Sequence, residues 1–258
     1  MAVLSNIFVY PVKALDGIET TTSKITSSGA LENDRRFCFT DSDDKILNGK
    51  RSPEIMRVRS SFDLSSMSAE FIFPGEVVKY KFNLLEEQKA IADIFSSYLN
   101  MNLKFIQDDI KGFFDDEIAS GPTIVSLASL EEVSTWFPEL PVEVLIKRFR
   151  VNLIVSDTEI FWEDKLYGDA GETVSFNIGG VSFEGINPCK RCVVPTRDLS
   201  TGETDKTFSK IFIEKRKSLL PNWVDKKRFD TYYRFVTNTR IDAASAGEML
   251  STGSAVRI

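Results

Sequence analysis

Residues 187–202 read NPCKRCVVPTRDLSTG, the stretch of the sequence in which reactive side chains are most concentrated. Its two cysteines, Cys189 and Cys192, are separated by a lysine and an arginine, whose positive charges stabilise a neighbouring thiolate. The residues on both sides, 180–186 and 193–194, have the β-branched and aromatic composition of strands. The sequence therefore predicts that the cysteine pair lies between β-strands.

Four kinds of chemistry are open to this cysteine pair. A zinc site needs about four ligands, and two cysteines without a histidine do not complete one. A thioredoxin-type dithiol belongs at the start of a helix in a βαβ unit, which the strand-like flanks do not match. Two inert, partly buried cysteines are the third interpretation. The fourth, a single thiolate metal ligand, is favoured because residues three apart in an extended segment point to opposite faces, so that only one sulfur reaches a given pocket.

The composition excludes several classes of function. The chain has 258 residues, with 32 Lys+Arg against 38 Asp+Glu and a formal net charge of −6. It has no histidine, which excludes Ser-His-Asp and Cys-His catalytic systems and His-ligated zinc or iron sites. The acidic balance disfavours bulk electrostatic binding of nucleic acid, so no nucleic-acid partner is predicted. A hydrophobic content of 42% with 20 Phe is enough for a packed core.

The sequence also leads to predictions about location. Its three cysteines are too few, and odd in number, for a secreted disulfide framework. The first residues, MAVLSNIFVYPVKAL, lack a basic leader region and predict a first strand. No segment approaches the roughly 18 consecutive apolar residues of a membrane helix, so no membrane segment is predicted. We expect a soluble, reduced, cytoplasmic protein.

Hydrophobic spacing predicts a β-rich α+β fold, with barrels decorated by short helices. Predicted strands cover residues 3–10, 62–64, 69–73, 77–82, 148–155 and 174–178. Two hairpins are predicted, one joining residues 36–40 to 45–47 and one turning at Gly179-Gly180, where the backbone needs positive φ. Helical spacing covers residues 91–99 and 207–217, and a capping-box pattern predicts a helix over residues 129–137.

A second group of candidate residues is cationic. In the predicted strand 148–155 (RFRVNLIV), the alternation puts Arg148, Arg150 and Asn152 on one face. Singly, each cation is typical of a protein surface. Together they would line a pocket for an anion, because arginine offers phosphate a bidentate fork and lysine a point charge. The members of the group are Lys13, Arg35, Arg36, Lys50, Arg51, Arg150 and Arg191.

The acidic residues 107–122, which end in Ser-Gly-Pro, are the best candidate for a domain boundary. A solvated surface loop explains the same composition equally well. We predict a first domain over residues 1–110 and a second over residues 111–258.

Four pieces of the sequence, taken in order, resemble a known family. They are IFVYPVKA at 7–14, DRRF at 34–37, FRVN at 149–152, and PCKRCVVPTRD at 188–198 followed by Thr201-Gly202. The chain resembles proteins in which an N-terminal MOSC β-barrel precedes a MOSC domain. These include the amidoxime-reducing component and the C-terminal domain of molybdenum cofactor sulfurase. The resemblance covers essentially the whole chain, and the cysteine motif is its most specific part.

The resemblance implies a pyranopterin molybdenum cofactor whose metal takes one protein thiolate. By position, Cys192 is similar to that metal ligand and would be a catalytic residue, and soft thiolate suits molybdenum. Asp198 is predicted either as a catalytic carboxyl that supplies a proton or as a turn residue ahead of Ser200. The positions that match the family's cofactor contacts are Lys13, Ala14, Arg35, Ser120, Gly121, Arg150, Asn152, Lys190, Arg191 and Tyr232.

The chain departs from the family's pattern at several of these positions. Ala14 stands where relatives often have serine, so one hydroxyl contact is missing. The segment NGKR at 48–51 replaces the usual Thr-Ala-Arg, and Val151 replaces a proline. The residues GSAV at 253–256 lack the expected aspartate after glycine.

The first functional prediction is a molybdenum-dependent oxidoreductase that removes oxygen from small N-hydroxylated or N-oxide substrates. Because the sequence has no flavin or iron–sulfur motif, its electrons would come from separate proteins of the ferredoxin, flavoprotein or cytochrome type. The alternative is a protein that carries molybdenum cofactor, or sulfur on Cys192, to another enzyme. Pyridoxal phosphate is linked to this family only through the sulfurase. A third interpretation is a catalytically silent barrel with an interaction surface.

Overall fold

The computed structural model describes residues 1–116 and 118–258, so that Glu117, one acid of the predicted boundary stretch, lies outside the described residues. Its strands are β1 (Val3–Val9), β2 (Ile18–Thr20), β3 (Thr22–Lys24), β4 (Phe37–Thr40), β5 (Arg59–Asp63), β6 (Ser68–Ile72), β7 (Tyr80–Asn83), β8 (Lys104–Gln107), β9 (Ile124–Ser126), β10 (Leu153–Ser156), β11 (Val174–Ile178), β12 (Val181–Lys190), β13 (Arg234–Ile241), β14 (Met249–Ser251) and β15 (Val256–Arg257). Its helices are α1 (Gln88–Leu99), α2 (Leu127–Trp136), α3 (Val142–Phe149) and α4 (Phe208–Ser218). This mixed, strand-rich architecture confirms the predicted α+β class.

The largest sheet has eight strands in the order β15-β11-β12-β13-β9-β10-β1-β2. Strand β1 pairs antiparallel with β10, and β9 pairs parallel with β10. Side chains of β1, such as Leu4 and Ile7, pack in one buried cluster with Ile124, Leu153 and Phe183. The first strands of the chain thus belong to the sheet that residues 124–257 otherwise build. The division at residue 110 stays a prediction.

The first half of the chain has a second core, built largely from phenylalanine. Strands β4 and β8 pair antiparallel, β5, β6 and β7 form a three-stranded sheet, and α1 packs over them. The rings of Phe39 and Phe95 lie 4.4 Å apart, and those of Phe71 and Phe95 lie 5.1 Å apart. Such pairs add attraction beyond the apolar area that they bury. Helix α1 therefore holds the small sheet against the rest of the half.

The predicted hairpin between residues 36–40 and 45–47 forms, but it is short, and β4 has a second partner. The Leu47 N–H donates to the Phe39 carbonyl at 2.8 Å, and the isolated bridge from Thr40 to Ile46 lies beside this bond. The longer pairing of β4 is with β8, from a distant part of the chain. The ring centroids of Phe39 and Phe105 come to 4.9 Å across the β4–β8 pair. Burial of these rings favours the pairing with β8, and Leu47 of the hairpin packs in the same core.

The predicted strand over residues 148–155 is wrong in its first part. Helix α3 runs to Phe149, Arg150 ends it in the left-handed conformation at φ 53°, and β10 begins at Leu153. Leu145, Ile146 and Phe149 are buried on one helical face. Apolar residues at such spacing fit the end of a helix as well as a strand, so the alternation of apolar and polar residues predicted a strand where the chain forms a helix. Arg148 and Arg150 therefore do not share a strand face.

Several predictions from local patterns are confirmed. Helices α1 and α4 match the predicted spacing, and the hairpin of β11 and β12 turns at Gly179, whose φ is +67°. Helix α2 begins earlier than predicted, because Ser126 is its N-cap and accepts a hydrogen bond from the Ser129 N–H. In the described part of the chain, no helix is both long and apolar enough to cross a bilayer.

A buried polar cluster lies beneath the large sheet. Asp164 pairs with Arg216, and both side chains are almost fully buried. Glu163 accepts hydrogen bonds from Ser129 Oγ at 2.8 Å and the Ser126 N–H at 3.2 Å. Its second oxygen, Oε1, is buried with no hydrogen-bond partner among the described residues. Burial and the nearby Asp164 charge raise the pKa of Glu163 to about 7.

Replacing Glu163 with glutamine should change the pH dependence of stability. The pKa of Glu163 is about 7 in the folded protein against a usual 4.5, so its contribution is fully present below about pH 4.5 and is lost as pH rises through 7. A glutamine side chain does not ionise, so at this position it causes no loss of stability as the pH rises. The effect of Glu163→Gln on the free energy of unfolding is therefore compared at pH 8 and at pH 4.5. The effect at pH 8 should be more stabilising than the effect at pH 4.5 by about 1–2 kcal/mol. Urea denaturation at both pH values measures this, with the exposed Glu139→Gln as control, and an equal pH slope in both variants would contradict it.

Candidate functional site

A cavity of about 890 Å³ lies between the two halves of the chain. Its volume falls within the range of small-molecule and cofactor sites. The first half contributes residues that follow β1 and β4, and the second half contributes the end of α3, the end of β12 and part of β13. The lining includes Lys13, Ala14, Arg35, Asn48, Gly49, Lys50, Asp115, Gly121, Arg150, Asn152, Asn187, Cys189, Lys190, Arg191, Cys192, Lys227, Arg228, Arg234 and Asn238.

The lining is strongly cationic, although the protein is acidic overall. Among the described lining residues, nine are Lys or Arg and two are Asp. Four of the cations pair with carboxylates: Lys13 with Asp115, Arg35 with Asp34, and both Lys190 and Arg234 with Asp230. The other five have no carboxylate within 4.0 Å in residues 1–116 and 118–258: Lys50, Arg150, Arg191, Lys227 and Arg228. The cavity therefore favours an anionic ligand.

A buried aspartate organises one corner of the cavity. Asp34 accepts hydrogen bonds from the Tyr10 N–H at 2.8 Å and from Asn152 Nδ2 at 3.1 Å, and it pairs with Arg35. Asn152 Oδ1 in turn accepts from Arg35 Nη1 at 3.3 Å. This network joins residues from both halves, so the position of Arg35 depends on the second half of the chain. Asn152 is the residue that links them.

Arg150 lies in the same corner and has an unused donor. Its Nη1 donates to the Leu15 carbonyl at 2.5 Å, and its guanidinium lies 4.3 Å from the centre of the Tyr10 ring. Its Nη2 is buried and has no hydrogen-bond partner among the described residues. Burial and the neighbouring Arg35 charge lower the pKa of Arg150 to about 10, which leaves it charged near neutral pH. An unpaired buried donor of this kind attracts an acceptor from a ligand.

Lys13 is held by the segment that connects the halves. Its Nζ donates to the Phe113 carbonyl at 2.6 Å and lies 2.9 Å from Asp115 Oδ1. Burial lowers the pKa of Lys13, although the Asp115 charge opposes that effect. Burial also acts to raise the pKa of Asp115, but the charges of Lys13, Lys50 and Arg35 together outweigh it and hold that pKa below its usual range. The contact between Lys13 and Asp115 ties the connecting segment to one side of the cavity.

The cysteine segment changes direction at Lys190, where β12 ends. Cys189 Sγ accepts from Arg191 Nη1 at 3.2 Å, and Cys192 Sγ accepts from the Val194 N–H at 3.5 Å. Both cysteines line the cavity. The predicted strand at residues 193–194 is wrong, because β12 ends at Lys190 and Val194–Thr196 form a 3-10 turn. The extended backbone that would turn the two sulfurs to opposite faces is therefore absent. The choice between them as a metal ligand therefore depends on their different hydrogen-bond partners.

Arg191 is held in the wall by three contacts. Its Nη2 donates to the Phe149 carbonyl at 2.7 Å, its Nη1 to Cys189, and its guanidinium lies 5.3 Å from the centre of the Phe149 ring. Its Nε is buried without a hydrogen-bond partner among the described residues. Arg191 and Arg150 thus both have an unused donor.

A close backbone approach explains one predicted residue. Gly121 donates its N–H to the Thr239 carbonyl at 3.0 Å, and a Cβ at this position would lie 2.8 Å from that same oxygen. Any other residue would push the connecting segment away from β13. Glycine is therefore needed to shape this part of the wall.

Five predicted residues are not among those that line the cavity: Arg36 and Arg51, which pair with Asp109 and Asp41, and the three residues described next. Ser120 donates its hydroxyl to the Ser28 carbonyl, and the ring of Tyr232 stacks on Phe229. Asp198 accepts hydrogen bonds from the Ser200 and Thr201 N–H groups at 2.8 and 2.9 Å. Hydrogen bonds from these two residues lower the pKa of Asp198 to about 2. This geometry favours the turn role of Asp198 over that of a proton donor.

Several lining residues are not predicted from the sequence. Asp115 belongs to the acidic stretch 107–122, whose negative charge is the local signal for a partner of the cationic group. Lys227 and Arg228 lie in the basic run KKR at 226–228, which was not connected to the site. Asn187 and Asn238 come together through the pairing of β12 with β13, and no local pattern shows that register.

Comparison with known families agrees with this arrangement. Residues 1–102 match the MOSC N-terminal beta barrel domain, and residues 120–251 match the MOSC domain. The chain belongs to the MOSC family. The family predicted from the sequence motifs is therefore confirmed, and the cavity of this MOSC protein lies where its two matched regions meet.

The MOSC protein is distantly similar to characterised relatives. It is 23% identical to molybdenum cofactor sulfurase of Bos taurus over 98% of this chain and 32% of the relative. It is 22% identical to mitochondrial amidoxime reducing component 2 of Bos taurus over 79% of this chain and 68% of the relative. The chain thus spans about a third of the length of the sulfurase. The YUAD protein from Bacillus subtilis, 8% identical, aligns over 99% of this chain and 94% of its own with a TM-score of 0.42.

Proposed function

We propose that this MOSC protein binds molybdenum cofactor in the cavity and reduces small N-hydroxylated or N-oxide substrates there. The observation that carries the proposal is the lining itself. Cys192 and five cations that have no carboxylate partner among the described residues line one cavity that both halves of the chain build. The names of its relatives connect the family to molybdenum cofactor and to amidoxime reduction.

The residues present fit a phosphate-bearing pterin. Arg150 Nη2 and Arg191 Nε are buried donors without partners among the described residues, and an unsatisfied buried donor costs about 1–3 kcal/mol. Acceptor oxygens of a bound phosphate or pterin would satisfy them. Lys13, Arg35 and Asn152 lie in the same lining and would hold and orient the same groups. Gly121 leaves the backbone close enough to complete the wall.

Cys192 is the residue that would hold the metal. Its sulfur lines the cavity and accepts a hydrogen bond from the Val194 N–H at 3.5 Å, and soft thiolate is a good molybdenum ligand. Within residues 1–116 and 118–258, no three Asp, Glu or Cys side chains form a metal-binding group, so further ligands would come from the cofactor. When bound, the cofactor would supply the oxygen-transfer chemistry.

Proton supply and electron supply are separate tasks. Asp198 and Asp115 both have pKa values below the usual range, so neither carboxyl holds a proton near neutral pH. Lys13 Nζ lines the cavity and has a lowered pKa, which makes it the better proton donor in the wall. The proposed electron donors are separate redox proteins of the ferredoxin, flavoprotein or cytochrome type.

Metal and pterin analysis tests the proposal. Protein purified from a host that makes the cofactor should contain about one molybdenum per chain. The loaded protein should then reduce an N-hydroxylated compound with an artificial electron donor. Cofactor binding without turnover would favour the alternative function, delivery of the cofactor to another enzyme. Stoichiometric zinc, or no molybdenum after reconstitution, would contradict both.

A further inference from the structure

The cavity extends beyond the residues predicted to hold the cofactor. One wall is formed by the end of β12, by β13 and by the short turn Lys226–Arg228. We refer to this wall as the distal wall. Its members are Asn187, Lys227, Arg228, Arg234 and Asn238.

The two asparagines of the distal wall are fixed by strand register. Asn187 in β12 lies directly opposite Asn238 in β13. Asn238 Nδ2 donates to Asn187 Oδ1 at 3.1 Å. That bond leaves Asn187 Nδ2 without an acceptor among the described side chains, so it remains available to a ligand in the cavity.

Arg228 is positioned without being neutralised. Its Nη1 donates to the Asp169 carbonyl at 2.7 Å, and its Nη2 donates to the Ile186 carbonyl at 2.8 Å. The guanidinium also lies 5.5 Å from the centre of the Tyr167 ring. Carbonyl oxygens and an aromatic ring orient the group but carry no full negative charge. Its positive charge therefore acts on the cavity.

The other cations of the distal wall have little counter-charge. Lys227 is exposed to the cavity and has no carboxylate within 4.0 Å in the described chain. Arg234 shares the single carboxylate of Asp230 with Lys190. Lys227, Arg228 and Arg234 thus line the cavity, and the only carboxylate paired with any of them in the described chain is Asp230, which Arg234 shares with Lys190. Both residue types bind carboxylate and phosphate, lysine as a point charge and arginine through its planar fork of N–H donors.

We propose that the distal wall is a subsite for an anionic group, a carboxylate or a phosphate, on the substrate. That the substrate reacts at an N-hydroxyl or N-oxide group rests on the proposed function. The anion subsite itself rests on the geometry of the distal wall. The anionic group accepts hydrogen bonds from Asn187 and is held by Lys227 and Arg228. Anionic N-hydroxylated compounds are therefore the preferred substrates, and neutral ones of the same size are poorer.

Turnover of two matched probes tests the preference. The probes are benzamidoxime and 4-carboxybenzamidoxime, which differ by one carboxylate. With the cofactor-loaded full chain and an artificial electron donor, we expect kcat/KM to be about tenfold higher for the carboxylated probe, since hydrogen bonds to charged groups exceed neutral ones by such an amount. Equal or lower kcat/KM for the carboxylated probe would overturn the subsite.

Two neighbouring lysines provide a matched pair of variants. Lys226 and Lys227 are both exposed and both lie in the same turn, but only Lys227 lines the cavity. Lys227→Gln should lower the preference for the carboxylated probe about threefold or more, whereas Lys226→Gln should keep it. Equal effects of the two variants would show that general surface charge, and not the distal wall, sets the preference.

Equilibrium binding separates the subsite from the proposed reaction. Calorimetry with the same probes should give tighter binding of the carboxylated probe to the unchanged protein and to Lys226→Gln than to Lys227→Gln. If this holds while neither probe is reduced, the subsite stands and the proposed reductase activity fails. If the probes bind equally while both are reduced, the activity stands and the subsite fails. A nucleotide attached to the extracted pterin would assign the distal wall to the cofactor and overturn the substrate assignment.

Discussion

Replacing Cys192 with serine is expected to lower both molybdenum content and reductase turnover by a factor of about one hundred or more. A serine hydroxyl stays protonated near neutral pH and is a harder ligand than a thiolate, so the metal loses its protein ligand. The polypeptide itself should tolerate the change, because Cys192 is only partly buried and accepts one N–H bond, from Val194. Metal analysis and turnover with an artificial donor measure the effect, and an unchanged melting temperature excludes misfolding.

Cys189→Ser is the matched control for that experiment. Cys189 lines the same cavity, but its sulfur is occupied by Arg191 Nη1 at 3.2 Å, and its side chain packs against the core beneath α3. A serine oxygen can accept the same hydrogen bond, so the variant should retain molybdenum and turnover within about tenfold. A dithiol mechanism predicts equal loss in both variants. That result would overturn the assignment of a single thiolate ligand.

Local sequence patterns were enough to predict the helices and turns that are determined by interactions between residues close in sequence. Helix α1 has buried Ile91 and Phe95 on the face that the spacing marks, and α4 has buried Phe208 and Phe212. The hairpin at Gly179 follows from the positive φ that glycine permits. In each case the deciding interactions lie within a few residues, so the sequence contains the information.

The failures have non-local causes. Strand β4 pairs with β8, more than sixty residues along the chain, because the Phe39 and Phe105 rings pack together. Residues 148–152 satisfy both helix and strand patterns, and the packing of Leu145 and Phe149 in one buried cluster with residues of α2, α4 and β13 decides for a helix. Such choices depend on partners that no single segment shows.

The site residues also fall into those that local motifs predict and those that depend on contacts between distant segments. The family motifs indicated Lys13, Arg35, Arg150, Asn152, Arg191 and Cys192, and the structure brings all six to one cavity. The distal wall was missed, because Asn238 and Arg228 enter the lining only through the register of β12 with β13 and the turn that precedes β13. The end of β12 at Lys190 was not predicted, because it depends on where the pairing with β13 ends, at Lys190 opposite Arg234.

Loss of Arg150 is expected to have the second largest effect on the site. Arg150→Gln removes a charged donor whose Nη2 has no hydrogen-bond partner among the described residues and whose position is fixed by Leu15 and the Tyr10 ring. A hydrogen bond between charged groups is worth about 1.5–3 kcal/mol, so cofactor retention should weaken about 10- to 100-fold. The readouts are molybdenum and pterin content after gel filtration at decreasing protein concentration, which report retention independently of turnover.

Two further variants separate the fork of Arg150 from its charge. Arg150→Lys keeps the positive charge but cannot bind Leu15 and a ligand oxygen together, so it should retain more cofactor than Arg150→Gln and less than the unchanged protein. Arg51→Gln removes one charge beside the lining residue Lys50, but Arg51 pairs with Asp41 and does not line the cavity. It should therefore retain cofactor fully. If Arg51→Gln and Arg150→Gln lose cofactor equally, only the overall charge matters, and the specific role of the Arg150 donor is wrong.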